Sequence, residues 1–303
     1  MTNANQPGNK RNGVAAAQSL QHAAQRKNTT PSGSTFSAII LWELRRRRTA
    51  IIWWVVGSVT MTTVIMALFP SIRDQAAQMN QVINQLPAGL RELKAGTAGI
   101  VDVGDPASFI NSQLFYATLP IMWIILAITR GSAALGREEQ TKTLELLLAQ
   151  PISRISLLTA KITSVSLELM IVGAICLLVI LAMAPMYDMN LSAGRLAAAT
   201  LYTTLFSLSF GIIALTLHAA GGVLKRAATA LAVVIGFGGY IVTSLSGLTD
   251  WLDVPVKFMP YHYFNPLNIL HGQTPRGLLV YLISVVLLCT ILATIGFRHR
   301  DIE

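Results

Sequence analysis

The sequence predicts an all-α integral membrane protein with six transmembrane helices, both termini cytoplasmic, and short amphipathic interfacial and coupling helices between the spans. Three observations carry this. Of the 303 residues, 53% are hydrophobic and only 12% charged, about half the charge of an ordinary soluble domain, and the mean hydropathy is +0.55. Apolar windows of about 20 residues recur along the chain, each long enough as a helix to cross a hydrocarbon core of about 30 Å. Finally, Lys and Arg segregate: seventeen lie in the N-terminal tail, the connection after the second window, a tight hairpin and the C-terminal tail, against six in the other three connections. Cationic loops stay on the cytoplasmic side, which fixes the orientation. The composition excludes a water-soluble enzyme. The segregation accounts for the net charge of +9 without nucleic acid.

Residues 1–34 are rich in Asn, Gln, Ala, Ser and Thr and hold almost no large apolar group, so they bury too little surface to offset chain entropy and are expected to be a disordered tail. No apolar core follows Lys10 and Arg11, which argues against a secretory signal. The six-helix domain then occupies 35–303. Phe36, Ile39, Ile40 and Leu44 recur at i, i+3, i+4 and i+8 ahead of Arg45, Arg46, Arg47 and Arg48. This predicts an amphipathic helix on the inner leaflet, its arginines either meeting anionic headgroups or acting only as a topological stop.

The spans are expected at Ala50 to Phe69, Ala107 to Thr129, Ile162 to Met183, Leu196 to Leu224, Ala228 to Leu248 and Leu278 to Phe297. Trp53 and Trp54 suit the interfacial belt, Pro120 needs neighbours to satisfy the carbonyl it frees, and only Lys225, Arg226 and Ala227 separate spans four and five. In the outer loop 70–106, Met79, Val82, Ile83 and Leu86 keep helical spacing until Pro87, predicting a short amphipathic helix. The outer loop 249–277 carries Phe258, Tyr261, His262, Tyr263 and Phe264, an aromatic group that either touches a hydrophobic substrate or anchors the loop at the interface. His262 and His271 lack companions at metal spacing, and Cys176 and Cys289 stand 113 residues apart in apolar segments. No catalytic, metal or disulfide site is therefore expected.

Ionisable residues inside a bundle normally face inward and find a partner. Glu168 lies seven residues from Lys161, and His218 seven before Lys225, so each sits about 10 Å along its helix from a lysine. The two are expected to share a depth and to face each other or a watery vestibule; the alternative has Glu168 snorkelling and His218 bonding a neighbouring helix. Thr60, Thr63 and Ser207 are candidates for the walls of a pathway, although small residues also serve plain helix packing.

The most informative segment lies within the cytoplasmic connection 130–161. It contains Arg137, Glu138, Glu139, Thr143, Leu144, Glu145, Leu147, Leu148, Pro151, Ser153 and Arg154. Leu144, Leu147 and Leu148 share one helical face, the charges lie mostly elsewhere, and Pro151 breaks the run. Such a helix suits a groove on a partner protein. The segment resembles the E-E-x-x-G-T-L-E-x-L-L-x-x-P-x-S-R pattern of the membrane subunits of type-2 ATP-binding-cassette (ABC) exporters, the bacterial multidrug and antibiotic-resistance permease group. The pattern's Gly is Lys142 here. The stretch Pro260 to Pro266 and the ending Phe297 to Ile302 add to the resemblance.

The resemblance implies a permease without chemistry of its own, in a bacterial cytoplasmic membrane. It would pair with a second copy or a paralogue to enclose a pathway, and with ABC ATPase subunits that bind ATP and Mg and dock on the segment above. The cargo it implies is hydrophobic or amphipathic, such as drugs or antibiotics. No G-x-x-x-x-G-K-[ST] phosphate loop occurs in the chain, so nucleotide is expected on the partner. Three rivals remain. A CAAX-type intramembrane protease needs Arg where Thr143 stands; a secondary transporter usually shows internal repeats, absent here; a membrane scaffold would lack an ATPase partner.

Overall fold

The computed structural model describes residues 33–87, 90–91, 102–140, 154–220, 222–246 and 250–298. Among them there is no strand. Five helical stretches are long and apolar enough to cross a membrane, namely Phe36–Asp74, Pro106–Ala134, Ile155–Met186, Ala193–Ala219 and Arg226–Leu245. The sixth apolar helix is Arg276–Arg298, with 23 residues. The chain is a multi-pass membrane protein.

The first span begins far earlier than hydropathy suggests. Helix α1 runs without a break over Gly33–Ala67, 35 residues, or about 52 Å, against a hydrocarbon core of about 30 Å. The amphipathic helix expected on the inner leaflet at 36–48 is thus the cytoplasmic end of the first span. Nothing between Phe36 and Val56 is Gly or Pro, so nothing stops the helix. Glu43 pairs with Arg46 and Arg47 at i+3 and i+4, which supports it locally.

Two short helices follow outside, α2 (Phe69–Asp74) and α3 (Ala76–Asn84). The expected amphipathic helix is α3, but Met79 and Ile83 pack with Ile72, Ala76 and Val103 into a small cluster of the loop's own. Asn80 ties the loop's two arms: its Nδ2 donates to Asp102 Oδ1 at 2.7 Å, and its Oδ1 accepts from Val103 N at 2.8 Å.

The second span is α4 (Pro106–Ile110), a π-helical segment Asn111–Phe115, and α5 (Thr118–Gln140). Asp105 caps α4, accepting from Ser108 N at 2.8 Å, with Pro106 in the first turn where its missing N–H costs nothing. The second proline, Pro120, falls in the first turn of α5, so no mid-helix kink arises. Helix α5 continues eleven residues beyond Thr129, the expected end.

The third span is α6 (Arg154–Met186) and the fourth α7 (Ala193–Ala219). The fifth comprises α8 (Gly222–Val233), a second π-helical segment Val234–Gly238, and α9 (Gly239–Leu245). The turn between spans four and five therefore falls after Ala219, not at Lys225–Ala227, and both cations already belong to α8. A short helix α10 (Pro266–Leu270) precedes the last span, α11 (Arg276–Arg298).

Helix α7 is the hub. It packs against α5, α6, α8 and α11, while α1 rests mainly on α6. Glycine permits the closest approach: a Cβ on Gly131 would collide with the Gly211 carbonyl, and one on Gly211 would stand 2.8 Å from the Ala127 oxygen. Gly173 lies equally tight on Thr204 Oγ1, 2.5 Å from a would-be Cβ. Bundles in lipid gain their cohesion from such contacts, since lipid tails are as apolar as leucine.

Candidate functional site

The residues expected to meet an ATPase sit between two of these helices. Arg137, Glu138 and Glu139 occupy the last turn of α5, and Arg154 is the first residue of α6. Thr143, Leu144, Glu145, Leu147, Leu148, Pro151 and Ser153 lie outside the described residues. What the structure does describe is how the two flanking helices are held.

They are held by charge. Glu43 of α1 is fully buried and accepts from Lys161 Nζ of α6, a lysine only 2% exposed. Arg47, also buried, reaches Glu43 through Nε at 3.0 Å and Glu168 of α6 through Nη1 at 3.7 Å. Arg130 Nε of α5 stands 2.7 Å from the other oxygen of Glu168. Arg46, partly exposed, closes the outer side of Glu43 at 3.2 Å and lies over the Trp42 ring at 4.4 Å. Three helices thus converge on two carboxylates. Removing such ions from water is costly, and only full pairing makes their burial tolerable.

This arrangement corrects the expected partner of Glu168. Its carboxylate faces Arg130 and Arg47, not His218. The His218 ring, in the last turn of α7, packs against Gly136 near the end of α5; a Cβ there would stand 3.0 Å from Cε1. Glu168 and His218 are both buried, yet they serve different contacts. Neither Glu43 nor Lys161 was expected in the bundle. The available signal was Glu43 itself, an acid at helical spacing from two arginines inside an otherwise basic, apolar stretch.

Among the pathway candidates, Thr60 and Thr63 lie on the exposed face of α1, whereas Ser207 is fully enclosed in the core. Ser207 is therefore a packing residue in this state.

At the outer end the loop aromatics divide. Tyr261 and Phe264 turn back into the bundle, each 2% exposed. Phe264 stacks on Phe206 of α7 at 4.2 Å, and Tyr261 meets Phe206 edge-on at 4.9 Å and Tyr240 at 5.3 Å. Tyr116, just after the first π segment, lies 5.9 Å from Tyr240, just after the second. Burial pushes the Tyr261 phenol above its ordinary range, with Tyr240 and Tyr116 adding to the shift. His262 and Tyr263 stay outside, ring against ring at 5.1 Å, and Tyr263 stacks on Tyr281 of α11 at 6.0 Å. These contacts clamp the last outer loop onto spans four, five and six.

No group of His, Cys, Asp and Glu able to hold a metal occurs among the described residues. In comparisons with known proteins, no curated protein and no solved structure matches the chain. One family model does: residues 37–249 match the ABC-2 family transporter protein. That match covers well over half the sequence and takes in all but the first four residues of α1, the whole connection between spans two and three, and spans two to five. The chain belongs to the ABC-2 family of transporter proteins.

Proposed function

We propose that the chain, an ABC-2 membrane permease without catalytic function of a kind that pairs with ABC ATPase subunits, forms with a second copy or a paralogue the pathway of an ATP-driven exporter in a bacterial cytoplasmic membrane. ATP and Mg bind to separate ATPase subunits, which dock on the segment from Arg137 to Arg154. The cargo is hydrophobic or amphipathic, of the kind represented by drugs and antibiotics.

One observation carries this reading. Helix α5 runs six residues past its apolar stretch, to Gln140, and α6 starts at Arg154, eight residues before the expected Ile162, so both reach the docking segment as levers continuous with the bundle. ATP binding closes the ATPase dimer, displaces the segment and tilts these levers, shifting the pathway from inward-facing to outward-facing. Each nucleotide state biases that equilibrium only by its differential affinity for the two shapes. The exposed face of α1 around Thr60 and Thr63 supplies a mildly polar wall that a second subunit can complete.

The test is purification of the tagged permease from its host in mild detergent, with co-purifying chains identified by mass spectrometry and ATP hydrolysis measured. A stoichiometric ATPase that is lost with Glu145→Ala or Leu148→Ala supports the reading. A permease recovered alone, with no nucleotide-binding partner, overturns it in favour of a secondary transporter.

A further inference from the structure

Helices α1 and α5 touch over only a short stretch, although each is more than thirty ångströms long by helical rise. Trp123 Nε1 of α5 donates to Ser58 Oγ of α1 at 3.3 Å within the spans; toward the other end what joins them is charge. Lys161 and Glu168 are two turns apart on one face of α6, about 10 Å, and Glu43 and Arg47 are one turn apart on α1. Glu43 takes Lys161, Arg47 spans from Glu43 to Glu168, and Glu168 takes Arg130 of α5. The result is a ladder across three helices, with five ions that are all nearly or fully buried. In a dry site a sliding helix strands a charge, so the ladder resists displacement far more strongly than apolar packing, which re-seats with little loss.

We propose that Glu43 and Glu168 are positioning residues: they lock the cytoplasmic half of α1 to the α5–α6 pair, so that movement of the docking segment is delivered to α1 and its exposed Thr60–Thr63 face as one rigid body. This rests on the exporter reading above. Without the ladder α1 still lies along α6, but its cytoplasmic half is free to shift against α5 as α5 and α6 follow the ATPase.

The experiment uses the complete permease–ATPase complex with spin labels at Leu41 of α1 and Thr129 of α5, both exposed, compared without nucleotide and with ATP plus vanadate. In the native background the distance between labels is unchanged by trapping. With Glu168→Gln, or with Glu43→Gln as a second variant, trapping separates the labels by about 2 Å or more, the scale of helix shifts at moving interfaces, while ATP hydrolysis continues. Glu168→Asp, which keeps a negative charge between Arg130 and Arg47, retains the fixed distance, which a merely destabilising lesion would not. The ladder is overturned if the native distance changes on trapping, or if it stays fixed in both glutamine variants of a hydrolysing complex. If no ATPase co-purifies, the exporter reading falls, and this proposal with it; the two failures are thus distinct.

Discussion

Glu168 shows how much one side chain decides. Its carboxylate faces Arg130 and Arg47 at once, so Glu168→Ala leaves the buried Arg130 guanidinium without a counter-charge and Arg47 with Glu43 alone. Breaking a buried pair by removing one partner typically costs about 3–5 kcal/mol. Thermal unfolding of the detergent-solubilised protein is expected to show a loss of that order, with Glu168→Gln milder because its amide oxygen still accepts a hydrogen bond. At Gly131 the expectation has a steric cause: Gly131→Ala drives a methyl group into the Gly211 carbonyl, and overpacking of this kind costs about 1–3 kcal/mol. The same measurement on Gly238→Ala, whose Cβ would meet only Val234 Cγ1 at 3.9 Å, is the control that should change little. The sequence marked Glu168 as an inward ion but assigned it the wrong neighbour. Counting residues from a lysine gives depth along a helix and nothing about azimuth, so His218 looked as near as Arg130. Arg47 was hidden in another way, since four consecutive arginines resemble a solvated stripe, yet a helix turns each to a different side and only Arg47 points inward.

Among the elements, the two π-helical segments were invisible to periodicity, because one extra residue in a turn leaves composition unchanged. Such bulges often mark functional positions. Each here precedes a tyrosine of the outer cluster, Tyr116 or Tyr240, and the bulge rotates the following helix enough to bring these rings together. Deleting exposed Val234 converts the second segment to a regular α-helix and turns Tyr240 by about 100°, uncovering Tyr261. The phenol then titrates near its ordinary value of about 10. In the native protein it stays protonated above that, so the unfolded chain loses this proton first and stability declines as the pH rises beyond about 10. Ultraviolet titration of native protein against Tyr261→Phe isolates that phenol. The deletion should move its transition down in pH, and Tyr261→Phe should flatten the alkaline fall in stability. Span centres, by contrast, were all legible, because about 20 apolar residues in a row have few other uses. Span ends were not: a hydropathy window registers where apolar residues stop, whereas α1 and α5 continue as helices into polar sequence that contains no breaker.

At the scale of the whole molecule, orientation follows from the cationic segments, and it can be read chemically. The two native cysteines, Cys176 and Cys289, are buried and give no background to a membrane-impermeant maleimide. Three exposed positions then report three connections: Gln81 on α3, Arg226 at the start of the fifth span and Gln273 before the sixth. With the termini inside, Gln81→Cys and Gln273→Cys label on intact cells, and Arg226→Cys only after permeabilisation. Replacing Arg226 removes one of seventeen inner cations, too few to reverse the bias that sets topology. The pattern also tests the count of spans. Helices α8 and α9 are interrupted by the π segment; if they lay on one side, Gln273 and Arg226 would label alike. A crossing at that point places the clamp of Tyr261 and Phe264 at the outer ends of spans four and five, and the ion ladder at the inner ends of spans one to three. The hub helix α7 then runs from the aromatic clamp, where Phe206 stacks on Phe264, to the ends of α5 and α6 that carry the ion ladder, and packs against both.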